Sequence, residues 1–134
     1  MLLAPKKIKF KKVRKGDTKT KPVTSSNLLF GSYGIIALES GYIHATQLEA
    51  SRQTINRHIG KKGRVWTIIF PDIGITKRPT QIRIGKGTGK IKYWAFRIQP
   101  GKIIFEVKGV SKKKIEEALN SGANKLPLKV RYVK

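Results

Sequence analysis

The sequence predicts an α+β fold, a two-layer α/β sandwich in which two helices pack on a mostly antiparallel sheet behind a basic, extended N-terminal arm. Three observations support this prediction. The chain has 134 residues, the size of one ordinary domain. Short apolar runs, separated by turns that contain glycine or proline, are typical of strands. Two other segments, at 45–59 and from 111 onward, repeat their apolar residues at helical spacing.

Residues 1–27 are predicted to form the arm. They hold nine basic residues and one acidic residue, with only scattered apolar side chains. Such a segment cannot bury enough apolar surface to fold alone, so we expect it to become ordered on a partner of opposite charge. The alternative is a solvated tail. Residues 28–134 are predicted to form a single α+β core, because the apolar content rises at Leu28.

The first half of the core is predicted to be a strand, a helix and a second strand. The first strand covers 28–39, and the helix covers 45–59 with Gly60 as its C-terminal stop. The second strand covers 64–70. The buried face of the helix is predicted to consist of Ala45, Leu48, Ile55 and Ile59.

The next segments are predicted to be paired strands. Residues 73–76 and 81–84 flank a charged turn and are expected to pair with each other. The strands at 93–98 and 103–107 are joined by a Gln-Pro-Gly-Lys turn, which predicts a β-hairpin.

A second helix is predicted to begin after Ser111 as its N-cap, and a strand at 126–133 follows it. Residues 112–114 are all lysine, and positive charge in the first turn of a helix opposes the macrodipole. Either phosphates lie across this turn, or the lysines are simply exposed at a small cost. The buried stripe of the helix is predicted to consist of Ile115, Ala118, Leu119, Gly122 and Ala123.

The charge of the chain implies a polyanionic partner. Lysine and arginine number 30 against 7 aspartates and glutamates, for a formal net charge of +23. Self-repulsion on that scale is hard to hold compact without a polyanion. The sequence has no cysteine, which excludes disulfides, thiolate metal sites and cysteine nucleophiles. No apolar run approaches the length of a membrane span, so we expect no membrane contact. No import sequence is visible. We also expect no homo-oligomer.

The sequence predicts no catalytic residue, metal or cofactor. His44 and His58 lie at opposite ends of one predicted helix, about 20 Å apart, which is too far to share a metal. The acidic residues form no recognisable pair with a histidine or a nucleophile. An enzyme acting on nucleic acid would therefore require Asp72 and Glu106 to lie together in a cleft.

The glycine-rich loop at 85–90 is the sharpest motif. It fits neither the P-loop nor the dinucleotide fingerprint, because Lys90 stands where each motif requires a glycine. Four nearby cations favour phosphate contact, while the alternative is a plain hairpin tip. These cations are Arg83, Lys86, Lys90 and Lys92.

The aromatic residues are expected to lie mostly in the core, and the alternative for each is a platform for base stacking. Tyr93 is the candidate for stacking, while Trp94 and Phe96 face the other side of their strand and are expected to be buried. The set considered is Trp66, Phe70, Tyr93, Trp94, Phe96 and Phe105.

Eight blocks in register resemble protein sixteen of the bacterial-type large ribosomal subunit, the L16/L10e family. The match covers essentially the whole chain, and KLP at 125–127 extends it. The blocks are MLLAPKKIKFKKVRKG (1–16), FGSYG (30–34), QLEASR (47–52), VWTIIFPD (65–72), ITKRP (75–79), RIGKGTG (83–89), YW (93–94) and QPGKIIFE (99–106).

The resemblance implies a structural, non-enzymatic ribosomal protein seated near the aminoacyl-tRNA site and the peptidyl-transferase centre. Its partners would be large-subunit rRNA, tRNA at the aminoacyl site and neighbouring ribosomal proteins. By position and charge, the expected rRNA-binding residues are Lys6, Lys7, Lys9, Lys11, Lys12, Arg14, Lys15, Arg52, Arg57, Lys61, Lys62 and Arg64. The expected tRNA-facing loop residues are Arg83, Gly85, Lys86, Gly87, Gly89 and Lys90. The alternative is a free basic RNA-binding or ribosome-assembly protein.

Two departures from the family stand out. His44 occupies the position of a usual threonine cap, which leaves the start of the first helix open by about a residue, and the three lysines at 112–114 replace a commonly acidic stretch. Lysine outnumbers arginine by 22 to 8 and isoleucine occurs 17 times, a bias that AT-rich codons also explain. With the divergent arm and no presequence, this bias favours the mitochondrial matrix, with plastid and bacterial cytoplasm as alternatives.

Overall fold

The computed structural model describes residues 3–10, 12–17, 22, 27–81, 85 and 87–134. The described part of the chain contains seven strands, two helices and one short 3-10 turn, which confirms the α+β class. In chain order they are β1 (Tyr33–Ala37), β2 (Gly41–His44), α1 (Ala45–Ile59), the 3-10 turn Gly60–Lys62, β3 (Arg64–Thr67), β4 (Ile73–Lys77), β5 (Lys90–Ile98), β6 (Ile103–Lys108), α2 (Lys112–Ala123) and β7 (Val130–Val133).

The strands form two antiparallel sheets instead of the single sheet expected. The large sheet has the order β3-β6-β1-β7, and the small sheet has the order β2-β5-β4. The predicted strand at 28–39 begins only at Tyr33, because the preceding residues cross the large sheet and Leu28 packs over Gly34. The last strand is likewise shorter than predicted and covers only Val130–Val133.

The predicted hairpin of β5 and β6 is wrong, although its turn forms. Lys102 N–H donates to the carbonyl of Gln99 at 3.2 Å, and Gly101 adopts a φ of 83°. Gly101 N–H then donates to the carbonyl of Ala37 at 2.8 Å, at the end of β1. Both edges of β6 pair with β1 and β3, and both edges of β5 pair with β2 and β4. The chain therefore passes from the small sheet to the large sheet at this turn.

The strand predicted at 73–76 is present as β4. It pairs with β5, and the partner predicted for it was the segment 81–84. Residues 82–84 lie outside the described part of the chain. The long reach of β5, nine residues, gives both β2 and β4 a full-length neighbour.

Both helices lie where the periodicity predicts them. α1 begins at Ala45 despite the histidine before it, and His44 N–H donates to Gln47 Oε1 at 3.0 Å. Ser111 occupies the N-cap position of α2. The helices pack against each other, and the hydroxyl of Ser51 on α1 donates to the carbonyl of Gly122 on α2 at 2.8 Å. The core joins both helices to both sheets through Ile35, Ile43, Leu48, Ile55, Ile98, Phe105, Ile115 and Leu119.

The large sheet has two faces of different character. Ile35 and Phe105 are cross-strand partners and belong to the core beneath the helices. Because side chains alternate along a strand, Glu106 and its partners Gly34 and Trp66 lie on the opposite face. The helices pack on the core face and so leave the opposite face uncovered. The segment 28–31 crosses this opposite face, where its backbone bonds to Glu106.

Candidate nucleic-acid interface

The arm lies on the face of the small sheet that points away from the core. Tyr42 and Arg97 are cross-strand partners on that face. The hydroxyl of Tyr42 donates to the carbonyl of Lys15 at 2.8 Å, and Lys15 Nζ lies 4.9 Å from the centre of the Tyr42 ring. Arg97 Nη1 donates to the carbonyl of Asp17 at 3.3 Å. The described residues of the arm form neither helix nor strand, so these side chains position it.

The basic side chains of the arm are exposed to solvent. Lys11, which was predicted with them, lies outside the described residues. An exposed, side-by-side set of cations is suited to phosphates, which attract lysine as a point charge. The described members are Lys6, Lys7, Lys9, Lys12, Arg14 and Lys15.

The arm meets the glycine-rich loop at Lys12. Its Nζ donates to the carbonyl of Thr88 at 2.5 Å. Between them lies a cleft of about 390 Å³, here named the arm–loop cleft, and its lining residues are Lys12, Arg78, Pro79, Gly87, Thr88, Gly89 and Lys90. The structure therefore brings together two basic segments that were predicted separately. Arg83 and Lys86 lie outside the described residues.

Sequence reasoning missed Arg78 as a member of this cleft. Its only signal was the charged Lys-Arg-Pro turn at 77–79, which was interpreted as a connection between strands.

The glycines of the loop are required for different structural reasons. A Cβ on Gly89 would lie 2.2 Å from the carbonyl oxygen of Lys77, so close packing of β4 on β5 requires glycine there. Gly85 and Gly87 instead have positive φ values of 95° and 85° and open space around them.

Arg52 is held by an acidic neighbour on its own helix. Its Nε donates to Glu49 Oε2 at 2.9 Å and its Nη2 to Glu49 Oε1 at 2.7 Å. The hydrogen bond from Arg52 holds the pKa of Glu49 down at about 2, and the same bond raises the pKa of Arg52. Gln53 adds a third donor at 3.1 Å. The structure therefore pairs Arg52 with Glu49, and the contact of Arg52 with rRNA stays a prediction.

Acidification is expected to remove the stabilising contribution of this ion pair. A carboxyl whose pKa falls on folding stabilises the fold above its ordinary value of 4.5, and that contribution disappears as the pH falls toward 2. Because the Arg52 side chain is 40% exposed, the contribution is at most about 1 kcal/mol. The measurement is the free energy of unfolding of the wild type minus that of Glu49→Gln, across this pH range.

The matched control is Glu117→Gln, an exposed glutamate on α2, which reports the effect of removing one carboxylate from a very basic chain. A difference between wild type and Glu49→Gln that stays constant from pH 4.5 to 2 would contradict the expectation.

The remaining predicted cations lie at the C-terminal end of α1 and continue into β3. Arg57, Lys61, Lys62 and Arg64 are all exposed. Cations at this end suit the negative end of the helix dipole. Lys61, Lys62 and Arg64 line one depression beside the large sheet, while the arm lies on the small sheet, so these predicted residues form a group separate from the arm. Lys112–114 are exposed as well, and Lys112 Nζ lies 3.8 Å from Glu116 Oε1.

The aromatic residues divide between core and surface. Phe105 is fully buried and Phe96 packs on the core, as predicted for Phe96. Tyr93 stacks on the ring of His44 with 4.0 Å between ring centres, so one face of the predicted platform is covered from within. Phe30 stacks on Trp66, and it is an exposed ring that sequence reasoning did not consider.

The described residues offer no catalytic centre. Glu106 is wholly buried with its carboxylate bound to backbone N–H groups, while Asp72 is exposed, so they do not form the acidic pair that an enzyme would require. Within the described residues, no group of histidine and acidic side chains is arranged to hold a metal ion. None of the helices in this part of the chain is long and apolar enough to cross a membrane.

An α+β core that carries an anchored cationic arm beside a glycine-rich loop defines a basic protein of the polyanion-binding class. The family model described as "Ribosomal protein L16p/L10e" matches residues 5–133. The chain belongs to this family, and it is a structural, non-enzymatic ribosomal protein.

Bacterial relatives match over almost the whole chain. The large ribosomal subunit protein uL16 of Parvibaculum lavamentivorans is 46% identical over 132 residues, which cover 98% of this chain and 95% of the relative. The proteins of the same name from Sinorhizobium medicae and Maricaulis maris are 43% and 46% identical, and each match covers 98% of this chain and 96% of the relative.

Proposed function

We propose that this constituent of the large ribosomal subunit binds large-subunit rRNA and helps to organise the aminoacyl-tRNA site near the peptidyl-transferase centre. The observation that carries the proposal is the contact of Lys12 with Thr88, which joins the cationic arm to the glycine-rich loop. One continuous basic surface results, with the arm for rRNA and the loop for tRNA. The names of the relatives support the ribosomal part of this proposal.

The mechanism is electrostatic and architectural. Folded RNA offers shape and phosphates more than readable base edges, so exposed lysines suit it better than a sequence-reading helix would. Each phosphate neutralised by a lysine releases counterions, which provides the driving force. The backbone contacts of Tyr42 and Arg97 fix the path of the arm, so its cations meet the RNA at defined positions.

Removing two arm charges is expected to reduce the salt dependence of rRNA binding. For Lys6→Gln/Lys7→Gln, the slope of log K against log salt concentration should become shallower by about 1 to 2, because each phosphate contact contributes nearly one. The measurement is a salt titration of the binding of the full chain to a large-subunit rRNA fragment. Lys125→Gln/Lys134→Gln is the control, since it removes equal charge from outside the proposed surface. Equal slopes for the two variants would contradict the role of the arm.

Crosslinking of the purified large subunit tests the placement of both segments. We expect crosslinks from the arm to map to a few defined rRNA segments, and the residues of the arm–loop cleft to reach tRNA when the aminoacyl site is filled. The alternative function, a free RNA-binding or assembly protein, predicts scattered crosslinks and loss from mature particles. That outcome would overturn the proposal.

The proposal extends to the cellular compartment in which the ribosome works. We propose an organellar ribosome, with the mitochondrial matrix favoured over plastid and with bacterial cytoplasm as the alternative. The support is the excess of lysine over arginine and the number of isoleucines. Cell fractionation followed by immunodetection decides between the three, and recovery only with bacterial cytoplasmic ribosomes would overturn the organellar assignment.

A further inference from the structure

An aromatic pair with one exposed ring, Phe30, and one partly buried ring, Trp66, lies on the face of the large sheet that the helices leave uncovered. Phe30 stacks on Trp66 with 6.2 Å between ring centres and 20° between ring planes. Phe30 is 56% exposed, although it is a large apolar side chain. We name these two residues the aromatic shelf. Its outer ring presents a flat apolar surface of the kind on which a nucleobase stacks.

Four cations surround the aromatic shelf. Lys61, Lys62, Arg64 and Lys108 line the same depression of about 480 Å³, together with two glycines and the shelf itself. This lining contains no carboxylate. The depression is therefore both aromatic and strongly cationic. A nucleotide matches both features, because its base can stack on the aromatic ring while its phosphate contacts the cations.

Two of these cations repel each other in the free protein. Arg64 on β3 and Lys108 on β6 are direct cross-strand partners, so their side chains lie on one face beside each other. Like charges opposite each other destabilise a sheet. An anion bound between them would convert this repulsion into attraction, which is an independent indication that the depression takes a phosphate.

The position of Phe30 is set by a buried anchor. Phe30 N–H and Gly31 N–H each donate to Glu106 Oε2 at 2.7 Å, and Glu106 is wholly buried beneath them. The backbone that carries the outer ring is thus held before any ligand arrives. A ligand that stacks on this ring need not order the segment beneath it, which lowers the cost of binding.

We propose that the aromatic shelf binds an unpaired nucleotide of RNA, with its base stacked on Phe30 and its phosphates beside Arg64 and Lys108. This inference rests on the proposed function and adds to it a second RNA site on the large sheet, distinct from the arm–loop cleft. Paired RNA does not fit, because its base faces are covered by their neighbours. An acidic peptide would satisfy the cations but leave the flat ring without a partner.

The test compares two single-stranded probes that carry the same number of phosphates, a short oligoadenylate and an abasic oligomer. The quantity measured for the full chain is the ratio of their dissociation constants. In Phe30→Leu, which keeps an apolar contact on Trp66 but loses the flat ring, the preference for oligoadenylate should fall by roughly fivefold or more. Phe30→Tyr should retain the preference. Phe70→Leu, a change at another exposed phenylalanine, is the matched control and should retain it too.

A second readout does not depend on the stability of the Phe30 variants. In a Trp94→Phe background, Trp66 is the remaining tryptophan, and oligoadenylate should quench its fluorescence more than the abasic oligomer does. Equal quenching by both probes, an unchanged preference in Phe30→Leu, or an equal loss in Phe70→Leu would each overturn the inference. If polyglutamate competes with oligoadenylate, and Phe30→Leu weakens the binding of both to the same extent, the inference is overturned in favour of an acidic peptide.

These failures differ from failure of the proposed function. If the wild-type chain binds rRNA but shows no base preference, the shelf is refuted and the ribosomal proposal stands. If the wild type leaves the mature subunit and binds RNA without defined positions, the ribosomal proposal fails.

Discussion

Glu106→Gln is expected to lower the free energy of unfolding by about 3 kcal/mol, and Glu106→Ala by more. The carboxylate of Glu106 accepts the backbone N–H groups of Leu29, Phe30 and Gly31 at distances between 2.7 and 3.2 Å. Three consecutive N–H groups around one anion form a backbone nest, and each bond to a charged acceptor is worth more than a neutral one. Glutamine has one acceptor oxygen, and its amide would turn a donor toward these donors.

The effect should extend beyond stability, because the same bonds hold the segment 28–31 across the large sheet. Chemical denaturation measures the loss, and hydrogen exchange at Leu29, Phe30 and Gly31 should become faster in the variant. Glu117→Gln is the control, since it removes the same charge from an exposed position on α2. Equal stabilities for the two variants would show that the nest contributes nothing beyond net charge.

Gly122→Ala is expected to destabilise the fold by about 2 kcal/mol, even though alanine favours helices. Gly122 lies on α2 where that helix meets α1. A Cβ at this position would stand 2.4 Å from Ile55 Cγ1 and 3.2 Å from Ser51 Oγ. Both neighbours are wholly buried, so neither has free space to move into. The helices must separate, which also strains the bond from Ser51 to the carbonyl of Gly122.

Thermal and chemical unfolding measure this change, with Ser121→Ala as the control one position away on the same helix. Ser121 is only partly buried, so its replacement is expected to change stability by no more than about 0.5 kcal/mol. Stabilisation of Gly122→Ala by about 1 kcal/mol, the full gain in helix propensity, would contradict the close approach of the two helices.

Local patterns were sufficient for the helices. The apolar spacing of residues 45–59 and Gly60 after it are properties of neighbouring residues, and the bounds of α1 follow from them. Local patterns did not predict which strands pair. The Pro-Gly turn at 100–101 is a strong local hairpin signal, yet it carries the chain between two sheets because β5 and β6 each find partners elsewhere.

In the candidate interface, too, some features could be predicted from the sequence and others depended on tertiary contacts. The charge of the arm and loop was evident from composition, and an electrostatic function requires little else. Their meeting at Lys12 and Thr88, the membership of Arg78 and the capture of Arg52 by Glu49 depend on which side chains the fold brings together. Glu106 shows this most clearly, since in the sequence it is an ordinary acid on a strand and in the fold it anchors a segment more than seventy residues away.

The sequence by itself determined the class of the fold, the positions of both helices, the polyanionic partner and the family, because these follow from composition, short-range periodicity and the order of motifs. Only the tertiary structure decided the division into two sheets, the nest around Glu106, the arm–loop cleft and the exposure of the aromatic shelf. Each of these depends on contacts between residues far apart in the chain, and the free energy of such a contact is set by the three-dimensional surroundings of both partners.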